Sequence, residues 1–402
     1  MQKSEVVSPW PVYAEDEVQA VVDVLKSGKV NYWTGTLTRQ FETEFAQFSG
    51  VKHAIAVANG TVALDLILVA LGIGPGDEVI VTPRTFLASV SAIILAGATP
   101  VFADIDTDTQ NITAGTISAK LGPKTRAVLC VHLAGWPCDM DPICALAREK
   151  GLYVIEDCAQ AHGGMYKGRK LGGLGDAAAW SFCQDKIMTT GGEGGMVTTN
   201  STDLWEKMWS YKDHGKSWAA VYNNQHPPGF RWLHESFGTN WRLTEMQAAI
   251  GLRQLEKMPL WHRTRLRNAM QIWQAASVLP AVRVPVIPDT IEHAAYKCYV
   301  FVRPERLANG WTRDRIIKEI NDEGVPCFSG SCSEVYLEKA FDQTSYRPEQ
   351  RLIGAKELGE TSLMFLVHPT LSERELENTC KTLTSVVMRA TRGSSHMMAG
   401  VH

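Results

Sequence analysis

The sequence predicts an α/β protein: a mostly parallel sheet covered by helices on both faces, followed by a smaller C-terminal α/β unit. Three observations predict it. Between Val51 and Asn200, short apolar runs alternate with stretches of helical period. Those runs are apolar throughout rather than at every second position, the mark of strands buried on both faces. At 402 residues the chain is also too long for one small core, so a second unit is expected beside the first.

The elements follow in order. His53 to Ala58 reads as a strand and Thr61 to Leu71 as a helix. Glu78 to Thr82 is a strand, followed by the helix Leu87 to Ala96. Pro100 to Ala103 and Arg126 to Val131 are strands, and Met140 to Lys150 is a helix. Leu152 to Glu156, Ala177 to Phe182 and Gly195 to Thr199 complete the sheet. Beyond residue 200, Asp203 to Lys212 and Thr244 to Leu255 read as helices. Between them Trp218 to Trp241 is a long aromatic, proline-containing stretch; such stretches in compact domains serve a function or contact a partner. A linking helix from about Leu260 leads into the smaller unit. There Cys298 to Arg303 is a strand, Thr312 to Glu323 a helix and Ser372 to Met388 the final helix. The domains expected are 1–258 and 259–391. Residues 392–402, with Arg392-Gly393-Ser394-Ser395-His396-Met397, read as an expression-tag remnant or tail.

Composition narrows the function classes. Apolar residues make up 45% and charged residues 21%, as in ordinary soluble domains. A net charge of -3 gives no electrostatic reason to expect nucleic acid or an anionic membrane as partner. Nine cysteines, an odd number without a framework, suit reduced cytoplasmic thiols. No C-x-x-C pair or H-E-x-x-H is present, so no metal site is expected. The N-terminus lacks an apolar signal core. The apolar run Ala88 to Ala98 is too short to span a bilayer.

Chemistry concentrates in two segments. Val154-Ile155-Glu156-Asp157-Cys158-Ala159-Gln160 places an aspartate at the end of a buried strand, where ligands of open α/β sheets gather. Ser181-Phe182-Cys183-Gln184-Asp185-Lys186 then runs into Gly191-Gly192-Glu193-Gly194-Gly195. A lone lysine is usually surface charge. Here glycines allow close backbone approach, and Ser181 and Thr190 can contact phosphate. A lysine near glycines with an aspartate before it is the pair that pyridoxal phosphate (PLP) chemistry needs: one forms the Schiff base, the other faces the pyridinium nitrogen.

Other residues add to this. Asn59-Gly60-Thr61 follows a strand and opens a helix. That makes a phosphate seat or simply a capped turn. Gln160 can hydrogen-bond a phenolic oxygen of a ring lying over the strand end. Phe86 can lie on a flat ring or fill core. His132, His162, His214 and His368 each suit structural hydrogen bonding better than catalysis. Two leads fail. Gly163 to Lys170 has P-loop glycine spacing but Arg169 where the phosphate lysine belongs. No G-x-G-x-x-G follows a strand, so there is no dinucleotide fingerprint.

Taken in order, these pieces resemble the DegT/DnrJ/EryC1/StrS family of PLP-dependent sugar-nucleotide aminotransferases, from Gly28 to His368. The resemblance is carried by Lys29-Val30-Asn31-Tyr32-Trp33-Thr34-Gly35, Asn59-Gly60-Thr61, Val131-His132-Leu133-Ala134-Gly135 and Glu156 to Gly163. Ser181-Phe182, Lys186, Glu193-Gly194-Gly195 and Gly238-Thr239-Asn240-Trp241-Arg242 carry the rest. It implies a fold-type I transferase with a seven-stranded-type sheet and a homodimer sharing two active sites. Lys186 would be the Schiff-base lysine and proton shuttle. Asp157 would pair with the ring nitrogen, Gln160 with the ring hydroxyl, and Phe86 would stack on the ring. Gly60, Thr61 and Ser181 would hold the phosphate, with Asn240 from the other subunit. Thr34, His162, Arg242 and Ser329 are the residues expected at the substrate.

The implied reaction moves an amino group, from L-glutamate by resemblance, to a keto-deoxy sugar nucleotide for cell-surface or secondary-metabolite amino sugars. The alternative is PLP-dependent dehydration or deoxygenation of the same sugars, which in this family goes with histidine at the lysine position. Two departures stand out: an extra glycine in the lysine block, and Gly324 to Glu334 where the family's His-Tyr pair is usual.

Overall fold

A computed structural model describes residues 8–223 and 232–392. The middle of the aromatic stretch (224–231) and the tail from Gly393 lie outside the described residues. Seven strands make the central sheet: β1 (His53–Val57), β2 (Glu78–Val81), β3 (Thr99–Phe102), β4 (Thr125–Val131), β5 (Tyr153–Asp157) and, after a hairpin of β6 (Met165–Tyr166) and β7 (Arg169–Lys170), β8 (Ala177–Ser181) and β9 (Gly195–Thr199). Their order is β1-β9-β8-β5-β4-β2-β3. Pairings among β2, β3, β4, β5 and β8 are parallel, and only β9 runs against its two neighbours.

Each strand feeds two cores because successive side chains point to opposite faces. Ala54 and Ala56 of β1 join Ile80, Val128 and Val154 in one core; Ile55 and Val57 join Val79, Val81, Leu129 and Ile155 in the other. That is why the strands read as unbroken apolar runs. Helices Gly60–Ala70, Ala88–Leu95 and Met140–Lys150 match their expected positions within a residue or two.

The expected break between two helices near Leu260 is absent. One helix runs from Glu245 to Ser277 with Pro259 inside it. Pro259 is exposed and removes a single backbone N–H, while the buried residues Leu255, Met258, His262 and Arg265 hold the axis on either side. The expected boundary between residues 258 and 259 therefore falls inside an unbroken helix. Helices Glu15–Ser27 and Leu37–Ser49 pack on its first half. Its second half helps form a third core under a small antiparallel sheet of β10 (Val282–Arg283), β12 (Cys298–Val302), β14 (Ser362–Phe365) and β13 (Cys327–Phe328), closed by helix Glu373–Ala390. The short strand β11 (Ile291–Glu292) returns to pair with β6.

Candidate active site

A cavity of about 540 Å³ opens at the carboxyl ends of the parallel strands. Asn59, Gly60 and Thr61 reach it from beyond β1, Thr85 and Phe86 from beyond β2. Asp157 ends β5, Ser181 ends β8, and Lys186 and Glu193 come from the loop joining β8 to β9. The sheet thus gathers residues more than a hundred positions apart at one edge.

At the β1 end, Asn59 accepts a hydrogen bond from Val62 N–H at 3.0 Å and caps the helix that Gly60 begins. The first N–H groups of that helix are left for a ligand, at the positive end of its dipole. Gly60 could carry no side chain there, since a Cβ would lie 2.7 Å from Ser181 Cβ. A Cβ on Gly195 would overlap the Asn59 carbonyl oxygen. The glycine cluster therefore closes tightly on the anion seat.

Asp157 is buried. One carboxylate oxygen accepts from Ala159 N–H at 3.1 Å, the other from the Ser89 hydroxyl at 2.8 Å. Burial pushes its carboxyl above the usual range, against those two hydrogen bonds and the Lys186 charge. Gln160 is oriented by the backbone: its Oε1 accepts from Ala134 N–H at 2.7 Å, leaving the amide NH₂ as donor. Phe86 is 73% exposed although it lines the cavity. A large apolar ring left bare beside a buried carboxylate and a capped helix start fits a flat, partly aromatic, phosphorylated group. The residues present therefore fit PLP.

Lys186 Nζ lies 3.5 Å from the Tyr296 hydroxyl and 3.8 Å from Asp185 Oδ1. Tyr296 donates in turn to Asp185 Oδ2. The Lys186 carbonyl accepts from the Trp10 indole at 2.8 Å, so the N-terminal segment ties down the lysine loop. Nothing in the sequence alone points to Ser89, Tyr296, Asp185 or Trp10 as parts of the site, with one exception: Ser89 follows Phe86 by three residues, in the first turn of the helix Ala88–Leu95.

The four residues expected at the substrate do not converge on the cavity. His162 is fully buried against Trp180 and Phe182, at ring distances of 5.1 and 5.7 Å. Burial, with Lys186 and Arg265 nearby, lowers its imidazole to about 3, so it is a neutral core residue. Its place inside the motif from Glu156 to Gly163 suggests otherwise. Thr34 is exposed and donates to the Asn31 carbonyl at 3.2 Å. Arg242 pairs with the buried Asp213 at 2.8 Å. Ser329 is exposed in the loop after β13; further along that loop the Cys332 carbonyl accepts from Thr85 N–H at 3.2 Å. Asn240, expected to act on the partner's cofactor, is exposed on its own subunit and bridges Asp213.

Among the described residues, one cluster bears on the expected absence of metal. His132, Glu156 and Cys158 are buried with ligand atoms within 4.8 Å of one another. Two of the three are engaged within the protein: His132 Nδ1 accepts from Cys138 N–H, and Glu156 accepts from Gly172, Leu174 and Gly175 N–H as well as facing His132 Nε2. All nine cysteines are free. No helix among the described residues is long and apolar enough to cross a membrane.

The family model described as DegT/DnrJ/EryC1/StrS aminotransferase family matches residues 11–384. The chain is similar to the spore coat polysaccharide biosynthesis protein SpsC of Bacillus subtilis (37% identity, 94% of this chain and 96% of the relative). It is also similar to the GDP-perosamine synthase of Caulobacter vibrioides (42% identity, 73% of this chain and 76% of the relative). The crystal structure of an aminotransferase from Psychrobacter cryohalolentis superposes with a TM-score of 0.95 at 60% identity, covering 96% of this chain and 100% of that one.

Proposed function

The chain belongs to the DegT/DnrJ/EryC1/StrS aminotransferase family, and from that premise we propose how its residues divide the work of moving an amino group onto a keto-deoxy sugar nucleotide. The protein is a PLP-dependent sugar-nucleotide aminotransferase. One observation carries the assignment of roles: a single cavity brings together Gly60, Thr61, Phe86, Asp157, Gln160, Ser181 and Lys186.

Bound there, PLP supplies an electron sink through which an amino group is exchanged. The phosphate is held by the N–H groups of Gly60 and Thr61 and by the Ser181 hydroxyl. Phe86 covers one face of the ring. The Asp157 carboxylate accepts the pyridinium N–H, which supplies the cation that its buried charge lacks. The Gln160 NH₂ donates to the ring oxygen. Lys186 Nζ takes the proton from the donor's α-carbon and returns it on the other side of the exchange. Tyr296 and Asp185, which flank Lys186 Nζ, steady it while it carries that proton.

The amino donor is an amino acid, L-glutamate in our reading. The acceptor class is supported by the perosamine synthase likeness; the nucleotide and ring carbon stay open in the proposal. The protein acts as a homodimer in the cytoplasm, a compartment that suits its unpaired cysteines. A purified sample should show a PLP absorbance that borohydride fixes to the peptide containing Lys186. It should also place nitrogen from glutamate into one member of a panel of keto-sugar nucleotides. A Lys186→Ala protein that transfers nitrogen at the wild-type rate would overturn the assignment. Loss of water from the sugar without nitrogen gain would favour the dehydratase reading.

A further inference from the structure

Around Lys186 the described residues carry more positive charge than the roles above use. Tyr296 is the centre. Lys186 Nζ lies 5.0 Å from its ring centroid and Lys297 Nζ 4.8 Å from the same centroid. Arg265 lies 4.7 Å from the ring of Trp10, whose indole holds the Lys186 carbonyl. The Arg265 side chain belongs to a residue only 2% exposed, and its Nε and Nη2 have no hydrogen-bond partner among the described residues. Lys297 is half-buried and makes no ion pair among them. Asp185 is already taken by Tyr296 and Lys186, and Asp157, which also feels the Lys186 charge, is held by Ser89 and Ala159. Burial depresses Lys297 to about 8 and Arg265 to about 9, with Asp185 pulling both the other way. An unpaired half-buried ammonium, with a buried guanidinium near it, is costly unless an anion joins it.

We propose that Lys297, backed by Arg265, receives the α-carboxylate of the amino donor and so selects an α-amino acid over a simple amine. This rests on the aminotransferase reading above. The geometry favours a carboxylate over the sugar nucleotide's diphosphate. In an α-amino acid the carboxylate sits on the same carbon as the reacting amine, so it arrives with that amine on the side of the site where Lys186 and Lys297 share the Tyr296 ring. A diphosphate hangs from the anomeric carbon, a different ring carbon from the keto carbon that must reach Lys186, and so lies farther from the reacting atoms than a carboxylate on the reacting carbon does. Arg265, buried under Trp10, acts through its field in a low-dielectric setting rather than by direct contact.

The test uses holoenzyme and separates the half-reactions. Glutamate alone is titrated while the bound cofactor's absorbance is followed, and binding of 2-methylglutarate, which lacks the amine, is measured by calorimetry. In Lys297→Met both should weaken by about tenfold or more, with the KM for the sugar nucleotide changed less than about twofold. Lys297→Arg should restore most of both. If glutamate and 2-methylglutarate bind Lys297→Met as they bind wild type, the assignment is wrong. If only the sugar KM rises, the cluster belongs to the diphosphate and the assignment is equally wrong. Should the two donor readouts disagree, the 2-methylglutarate affinity decides. Arg265→Met probes the backing charge; if it does not fold, the Lys297 variants still decide between the outcomes. A wild-type cofactor absorbance that ignores every amino acid would bring down the aminotransferase reading itself, an outcome distinct from an unaltered Lys297→Met.

Discussion

Asp157 shows how one buried atom can serve function at the expense of the empty protein. Its carboxyl is raised by burial, so the folded apo chain holds that proton to higher pH than the unfolded chain does. Stability from this group is therefore fully present below the unfolded carboxylate range and declines as pH rises through the folded value. Asp157→Asn removes the titration. Apo wild type should gain thermal stability relative to apo Asp157→Asn as pH is lowered from neutral into the carboxylate range; a pH-independent difference would contradict the shift. With cofactor added at neutral pH the same variant should lose about 10²–10⁴ in kcat/KM, because the ring nitrogen loses its anion. Asp157 and Lys186 are legible in the sequence because the chemistry fixes their residue types and a strand end fixes their place. Tyr296 is not: it meets Lys186 across 110 positions, and nothing local marks it. His162 carries both readings in the sequence, structural histidine and substrate residue, because its neighbours in the motif face the cavity while its own ring packs on Trp180 and Phe182.

At the scale of elements, the glycine cluster is a packing device. Gly195 opens β9 with ordinary backbone angles, yet a Cβ would strike the backbone of Asn59, which cannot move without uncapping the helix at Gly60. Gly195→Ala should cost about 1–3 kcal/mol in thermal or urea unfolding and weaken PLP binding, read by cofactor titration. Gly168→Ala is the control: it has positive φ but open space, so it should cost about 1 kcal/mol and leave PLP binding alone. The long helix supplies a prediction of opposite sign. Pro259 is exposed inside it, so Pro259→Ala restores an N–H to the helix ladder and should stabilise the protein by about 1–3 kcal/mol in the same unfolding assay. The strands are readable because both faces of the sheet are buried and every position has to be apolar. The helix from Glu245 to Ser277 is not, because tertiary packing on both halves overrides the local penalty of one proline. The helices Glu15–Ser27 and Leu37–Ser49, which pack on it, are not among the elements expected above although their apolar residues recur at helical spacing: Val18, Val21, Val22 and Leu25 in one, Leu37, Phe41, Phe45 and Phe48 in the other.

The whole molecule presents surfaces that a single chain does not explain. Trp232 is 83% exposed and Phe237 99%, both just before Asn240, in a segment whose length suggests a partner. Asn240 itself is exposed and lines no part of its own cavity. Local sequence can suggest that segment but not its destination, because the pattern of one chain records only what that chain buries. If each site takes Lys186 from one subunit and Asn240 from the other, the two residues can be separated genetically. Lys186→Ala dimers have no chemistry. Asn240→Ala dimers lose a hydrogen bond to a charged group, worth about 1.5–3 kcal/mol of cofactor affinity, and should be weakly active when PLP is limiting. Mixed and allowed to exchange subunits, they form heterodimers in which one site has both lesions and the other has neither. Activity at limiting PLP should then rise well above that of either parent, toward about a quarter of wild type when exchange is random, because about half of the dimers carry one intact site. If Asn240 serves its own subunit's site, every site in the mixture keeps one lesion, and the mixture does no better than the average of its parents.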